Sequence, residues 1–427
     1  HPYVSEAKVV RKLRDLVAPL QATSSVVLFL SPTLELPREL EKDVSVVDYP
    51  LPTLDDIRSL FEVIEEGVAS NPSLSIDLGD EDRDRLLQAA LGLTENEARN
   101  VFAKALARDR TLSVKDVDVI VREKEQIVRK SGVLEYFANP EDFGAVGGLD
   151  QLKAWLSLRS GALTKKARDF GLPPPKGLLL IGVPGCGKSL TAKAAAYEWN
   201  QPLLKLDVGK LFGGLVGSSE QNIRRTIQFA EAVAPCILWI DEIEKGFAGF
   251  RSTGDSGTSA RVFSTFLTWM QEKSSPVFVI ATANDVTSLP PELLRKGRFD
   301  ELFFVDLPFP REREEILGIH LRKRGRDPEA LGIDVAGLAR RAEGFSGAEL
   351  EQAVIDGLYR AFDRGVELDS DAVAAALDDT YPLSETMKEP IRAMREWAEK
   401  RARYASTMWR DRTGEARATE RWASIGN

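Results

Sequence analysis

The chain has 427 residues, 43% of them apolar and 29% charged. That is room for two or three domains of ordinary globular composition, which excludes a disordered tail, a collagen-like fibre and a disulfide-stapled miniprotein. Fifty-seven basic against 66 acidic side chains leave a net charge of −9, which argues against a general nucleic-acid coat while a local basic groove stays open. Two cysteines, Cys186 and Cys236, and two histidines, His1 and His320, build neither a disulfide framework nor a zinc site and suit a reducing, cytoplasmic setting; no apolar run nears the ~20 residues of a membrane span.

The start, His1-Pro2-Tyr3, has no Met, charged leader or apolar signal core, and reads as a tag scar or a cut chain. Residues 1–135 echo later text. The stretch 20–27 (LQATSSVV) matches 270–277 (MQEKSSPV) at an offset of 250. Residues 36–40 (LPREL) match 289–293 (LPPEL) at 253, and 47–52 (VDYPLP) match 305–310 (VDLPFP) at 258. The jump is a five-residue deletion in the first copy, where the second carries Arg295 and Arg298. Gly92-Leu93-Thr94 aligns with Gly344-Phe345-Ser346 at 252. The first third reads as the worn back half of the module that follows; an unrelated αβ domain with chance similarity is the competing reading.

The core of the argument starts at 178. Leu178–Ile181 is a short apolar run of the kind a parallel strand buries on both faces. Gly182-Val183-Pro184-Gly185-Cys186-Gly187-Lys188-Ser189 follows, and then helix formers from Leu190 to Trp199. Glycine backbone can wrap a polyphosphate closely, and the helix start adds positive potential. Lys188 can reach the terminal phosphates and Ser189 can offer a hydroxyl to Mg²⁺. Further strands are expected at 203–207, 237–240, 277–281 and 302–306, with helices at 219–233 and 260–271 between them. This alternation predicts a parallel sheet covered on both faces. Asp241 and Glu242 end the apolar stretch from Cys236, 52 residues past Ser189; Asp241 suits the metal and Glu242 a general base for water. Asn284 ends the run from Val277 and can face the γ-phosphate. Arg295 and Arg298 offer guanidinium to a transferring phosphoryl group. Trp239 is expected in the core, Cys186 without thiol chemistry, and 251–259 in a mobile loop. Residues 311–382 read as a helical lid, and 383–427 as a C-terminal helix and tail. The charged run 388–403, with Ile391, Met394, Trp397 and Ala398 at helical spacing, predicts an amphipathic helix docked on its own lid or a neighbouring subunit.

These motifs resemble the AAA+ ATPases of the AAA group. The resemblance covers 140–380 and rests on Phe143–Leu149, the two Walker motifs, Asn284, Arg295–Arg298, and the lid text from Gly344 to Leu350. It implies an α/β P-loop NTPase module, a five-stranded parallel sheet with helices on both faces, at 140–310. A helical lid follows, and a degenerate partial AAA-like αβ domain precedes it at 1–135. It implies Mg²⁺ and ATP or ADP as cofactors. Adenine would then lie between Val146-Gly147 and the lid, near His320, Gly347 and Ala348, with Pro184, Gly185, Cys186, Gly187, Lys188, Ser189 and Leu190 around the phosphates. The arginines would act on a neighbour's nucleotide in a ring, usually a hexamer. Over nearly its whole length the chain is similar to the narrower family encoded by hypothetical chloroplast open reading frame 46 of algae and its cyanobacterial and other bacterial relatives. That family has been linked to photosynthesis and inorganic carbon use, a link no residue here carries. Where the wider family grips a threaded chain with an aromatic loop residue, Leu215 stands instead; Phe212 could substitute, and Phe247, Phe250 and Arg251 offer a second pore element. The favoured activity is remodelling of a macromolecule, protein rather than nucleic acid; a nucleic-acid translocase and a slow nucleotide switch are the competing readings.

Overall fold

A computed structural model describes residues 6–23, 25–30, 36–47, 49–130, 133–137, 141–163, 165–212, 218–246 and 258–408. The chain divides into two compact units, 1–51 and 52–427. The first contains the helix Ala7–Gln21 and a 3-10 turn, Arg38–Leu40. Its apolar run at 26–30 joins no strand ladder among the described residues and leaves Val26 80%, Leu28 82% and Leu30 92% exposed. In the second copy, by contrast, the matched text runs into the wholly buried strand Val277–Ala283.

The second unit opens with helices Leu54–Ala69, Asp80–Ala90, Glu95–Asp109 and Val117–Lys130 around a core that includes Phe61, Leu87, Leu93 and Phe102. A parallel two-stranded ladder joins β1 (Ser75–Asp77) to β2 (Thr111–Ser113). The lid repeats the helical part of that plan, with no ladder among its described residues. Helices Pro310–Lys323, Val335–Arg341, Gly347–Arg364 and Ser370–Asp378 enclose Leu317, Leu338, Leu350 and Val354. At its last matched stretch, 92–94 with 344–346, the repeat extends to backbone geometry. Gly92 and Gly344 take φ +86° and +83°, which glycine alone adopts cheaply. Thr94 and Ser346 then cap their helices in boxes closed by Glu97 and Glu349.

Among the described residues the main sheet has seven strands in the order β3-β5-β6-β7-β4-β8-β9. They are β3 (Leu134–Phe137), β4 (Gly177–Gly182), β5 (Leu203–Leu206), β6 (Cys236–Ile240), β7 (Val277–Ala283), β8 (Glu301–Val305) and β9 (Arg403–Tyr404). The five expected strands, β4 to β8, are parallel. Two edges add to that expectation: β3 pairs antiparallel with β5, and β9 parallel with β8. At four and two residues they are too short for alternation to show in sequence, and their pairing depends on neighbours that the rest of the fold supplies. One face packs under helices Ser218–Val233 and Thr258–Glu272, the other under Asp150–Ser157 and Lys188–Glu198. Trp239 is 3% exposed, as expected of a core residue.

The amphipathic helix exists, as Lys388–Arg401, but its docking site corrects the expectation. Ile391, Met394 and Ala398 bury with Trp155, Phe303 and Leu307 in the core of the large domain rather than on the lid. Arg395 fastens it by a fork onto Asp306, with nitrogen–oxygen distances of 2.8, 2.9 and 3.0 Å. The chain then forms β9, and Leu152 N–H donates to Ala405 O at 3.1 Å. No helix among the described residues is long and apolar enough to cross a membrane.

Candidate active site

Strand order decides where the chemistry collects. β4 lies against β7, and β7 against β6, so the C-terminal ends of all three meet at one rim. After β4 the chain turns through the glycine loop into Lys188–Glu198, with Gly187 as N-cap at φ +85°, a left-handed conformation that a side chain would strain. The lid closes the opposite side. Ala348 N–H donates to Gly185 O at 2.9 Å, and Gly147 lies so close under Ile316 that a Cβ there would stand 2.5 Å from Ile316 Cγ1. Glu315 Oε2 accepts from Gly148 N–H at 2.8 Å and Glu312 Oε1 from Leu149 N–H at 3.2 Å. Between loop, sheet rim and lid lies a cavity of about 350 Å³, a size that suits a small-molecule ligand.

Several polar groups of its wall are paired with one another. Lys188 is 6% exposed and its Nζ donates to Gly182 O at 2.8 Å and Val183 O at 2.7 Å. Burial pulls its ammonium down to about 8, so a polyanion placed against it would restore the charge that the interior disfavours. Ser189 Oγ donates to Asp241 Oδ1 at 2.9 Å, and Thr282 Oγ1 donates to the same oxygen at 2.7 Å. Ser189 and Asp241 thus present the oxygen donors that a hard divalent cation such as Mg²⁺ prefers, and they fit it. Lys205 Nζ stands 3.9 Å from Asp241 Oδ2 and 4.6 Å from the centre of the Trp239 ring. Glu242, at φ +51°, has its carboxylate between Asn284 Nδ2, 3.0 Å away, and the ammonium of Lys245. Behind it Glu244 accepts from Asn284 N–H at 2.9 Å, and burial raises its pKa. On the lid wall, burial lowers the His320 pKa and favours the neutral ring; Nδ1 lies 3.4 Å from Glu351 Oε1. Burial pushes the Cys186 thiol up to about 12, which leaves no thiolate at neutral pH.

Comparison with known proteins bears on the whole chain. Residues 178–307 match the family described as "ATPase family associated with various cellular activities (AAA)". Residues 55–131 match "SpoVK-like AAA ATPase, second domain" and 1–49 match "SpoVK-like AAA ATPase, N-terminal domain". The AAA domain-containing protein ycf46 of Guillardia theta is 42% identical over 93% of this chain and 77% of its own length. The ycf46 protein of Pyropia yezoensis is 43% identical over 95% and 81%. The chain belongs to the ycf46 family of AAA ATPases. More distantly, the proteasome-activating nucleotidase of Aeropyrum pernix is 38% identical over 52% of this chain and 54% of its own.

Against this AAA background, the cavity gathers most of the residues that the text nominates. Val146, Gly147, Pro184, Gly185, Cys186, Gly187, Lys188, Ser189 and Leu190 line it, with Asp241, Glu242, Asn284, His320, Gly347 and Ala348. Arg295 and Arg298 do not line it. Arg295 is exposed; Arg298 is half-buried, donates through Nη1 to Glu292 O, and has a buried Nε without a hydrogen-bond partner among the described residues. The loop residues Leu215, Phe247, Phe250 and Arg251, most of the stretch 251–259, and the side chain of Phe212 lie outside the described residues. Sequence reasoning passed over Thr282, Ile316, Ile319 and Glu351, which also line the cavity. Thr282 reads as an ordinary strand former, and the two isoleucines read as the buried stripe of a helix.

Proposed function

We propose that this chain hydrolyses ATP with Mg²⁺ as one subunit of a ring, a hexamer, that remodels a macromolecule. The observation that carries the reading is one cavity wall on which the Lys188 ammonium, the Ser189–Asp241 oxygen pair and the Glu242–Asn284 pair converge. The glycine loop and Lys188 bind the phosphates. Ser189 and Asp241 hold the cation, which when bound neutralises charge on the terminal phosphates. Glu242 takes the proton of the attacking water on its carboxylate, while Asn284 Nδ2 keeps Oε1 oriented. Val146 and Gly147 face the base from one side, and His320, Gly347 and Ala348 from the other.

Arg295 and Arg298 complete the site of the next subunit. What supports this is that both lie away from their own cavity and that Arg295 is exposed. The working division is a degenerate AAA-like region at 1–135, an ATPase domain at 140–310, a lid at 311–382 and a C-terminal segment at 383–427. The name of the Aeropyrum relative, a proteasome-activating nucleotidase, supports a protein substrate, and the net charge of −9 weighs against nucleic acid. The test is a mixing experiment. Arg298→Ala should bind nucleotide normally without turning it over, and Lys188→Ala should neither bind nor hydrolyse. Mixed rings should regain part of the activity, because intact arginines of one subunit meet the intact cavity of the other. A mixture as inactive as its parents, in rings of normal size, would falsify the arginine assignment.

A further inference from the structure

Thr282 lies one residue beyond the last β6–β7 pair, Ile240 with Ala281, and is 1% exposed. Its hydroxyl has one proton. The Glu242 N–H can only donate, and it donates to Thr282 Oγ1 at 2.9 Å. The Thr282 proton is thereby committed to Asp241 Oδ1, at 2.7 Å. The Ser189 hydroxyl reaches that same carboxylate oxygen. Glu242 meanwhile holds a left-handed backbone at φ +51°, a conformation that persists in a residue with a side chain only where its surroundings over-determine it. The bond from its own N–H to Thr282 supplies that constraint, and the turn points its carboxylate at Asn284.

The geometry points to Thr282 as the positioning residue that sets both acids at the end of β6: Asp241 towards the cation, through its side chain, and Glu242 towards water, through its backbone. This rests on the hydrolytic reading above. Two acids with different roles share one hydroxyl, so its removal disturbs cation affinity and turnover together while the phosphate loop is untouched.

The variants are Thr282→Val, which keeps the shape and removes both hydrogen bonds, and Thr282→Ser, which keeps the hydroxyl. A fluorescent ATP analogue is titrated with and without Mg²⁺, and phosphate release is followed against Mg²⁺ concentration. For the valine variant, binding without Mg²⁺ should stay within about twofold of the wild type. The strengthening of binding by Mg²⁺ should shrink by about tenfold, and kcat should fall by about 10- to 100-fold, the range for losing a buried hydrogen bond to a charged group. Serine should restore both to within about threefold. If valine does not fold, Thr282→Cys replaces it, with the same losses expected in weaker form. Wild-type kcat and Mg²⁺ dependence in the valine or cysteine variant overturns the inference, as does a serine variant as impaired as valine. A wild-type protein that binds nucleotide but never hydrolyses it defeats the hydrolytic reading instead. The Mg²⁺ effect on binding then still tests Thr282.

Discussion

Replacing Glu242 by glutamine removes one charge and almost no volume. The amide oxygen can still accept from Asn284 Nδ2, now 3.0 Å from the carboxylate, and the backbone bond to Thr282 is untouched. What disappears is the anion that takes a proton. A positioned general base contributes about 10²- to 10⁴-fold in rate, or about 3–5 kcal/mol in barrier at about 1.4 kcal/mol per decade. Losing the ion pair to Lys245, an exposed residue, adds little. On the proposed reading nucleotide affinity rests on Lys188 and the glycine loop, which the change does not touch. Steady-state phosphate release should therefore fall by at least about a hundredfold, while the dissociation constant for a fluorescent ATP analogue stays within about twofold. The melting temperature of the ATP-loaded variant should match that of the wild type. Turnover within about threefold of the wild type, with affinity unchanged, would refute Glu242 as the base.

Further outcomes follow from burial and packing. Burial pulls the Lys188 ammonium from 10.5 down to about 8, so without a ligand the charge proposed to hold phosphate is kept only below about pH 8. Nucleotide affinity should be level below pH 8 and decline by up to about tenfold per unit above it, with proton uptake on binding; Lys188→Arg should flatten that decline. The same depression costs stability at neutral pH, a cost that fades as pH rises from about 8 to 10.5, because there the unfolded chain holds the proton that the folded one has lost. A level affinity up to pH 9.5 would contradict the assignment. Gly92→Ala places a Cβ 2.3 Å from Val233 Cγ2 at a backbone of φ +86°, and should cost about 2–3 kcal/mol. That is at least several degrees in a thermal melt. Gly67→Ala, in the helix Leu54–Ala69 with open space around it, should instead gain up to about 1 kcal/mol; equal melting temperatures for the two would disprove the packing argument.

Much of this was legible because the relevant text is local. A glycine loop between an apolar run and a helix former leaves few alternatives, and an apolar stretch ending in Asp241-Glu242 or Asn284 can end only where a parallel sheet opens to solvent. The repeat was legible for the same reason, since Gly92 and Gly344 with their caps are single-turn devices. Parts that depend on distant neighbours were hidden. β3 and β9 are strands only because β5 and β8 are beside them. Thr282 acquires its role from the β6–β7 register, and the helix Lys388–Arg401 showed its apolar stripe without showing which surface would receive it. The first copy also tells what it has lost. At the repeat offset, Glu95 and Asn96 stand where Gly347 and Ala348 meet the cavity, and a carboxylate there would repel a phosphate.

The carboxylate of Glu312 gathers three parts of the chain: it accepts from Phe309 N–H at the start of the lid and from Leu149 N–H beside the nucleotide cavity, and it bonds the side chain of Ser406 just past β9. Those bonds tie the first turn of the lid to the entry loop and to the C-terminal segment at once. The helix Gly347–Arg364 rests its first turn on the glycine loop and runs about 22 Å from there towards Tyr359 and Phe362, 70% and 85% exposed. Any tilt of that helix against the loop would move those two bare rings the most.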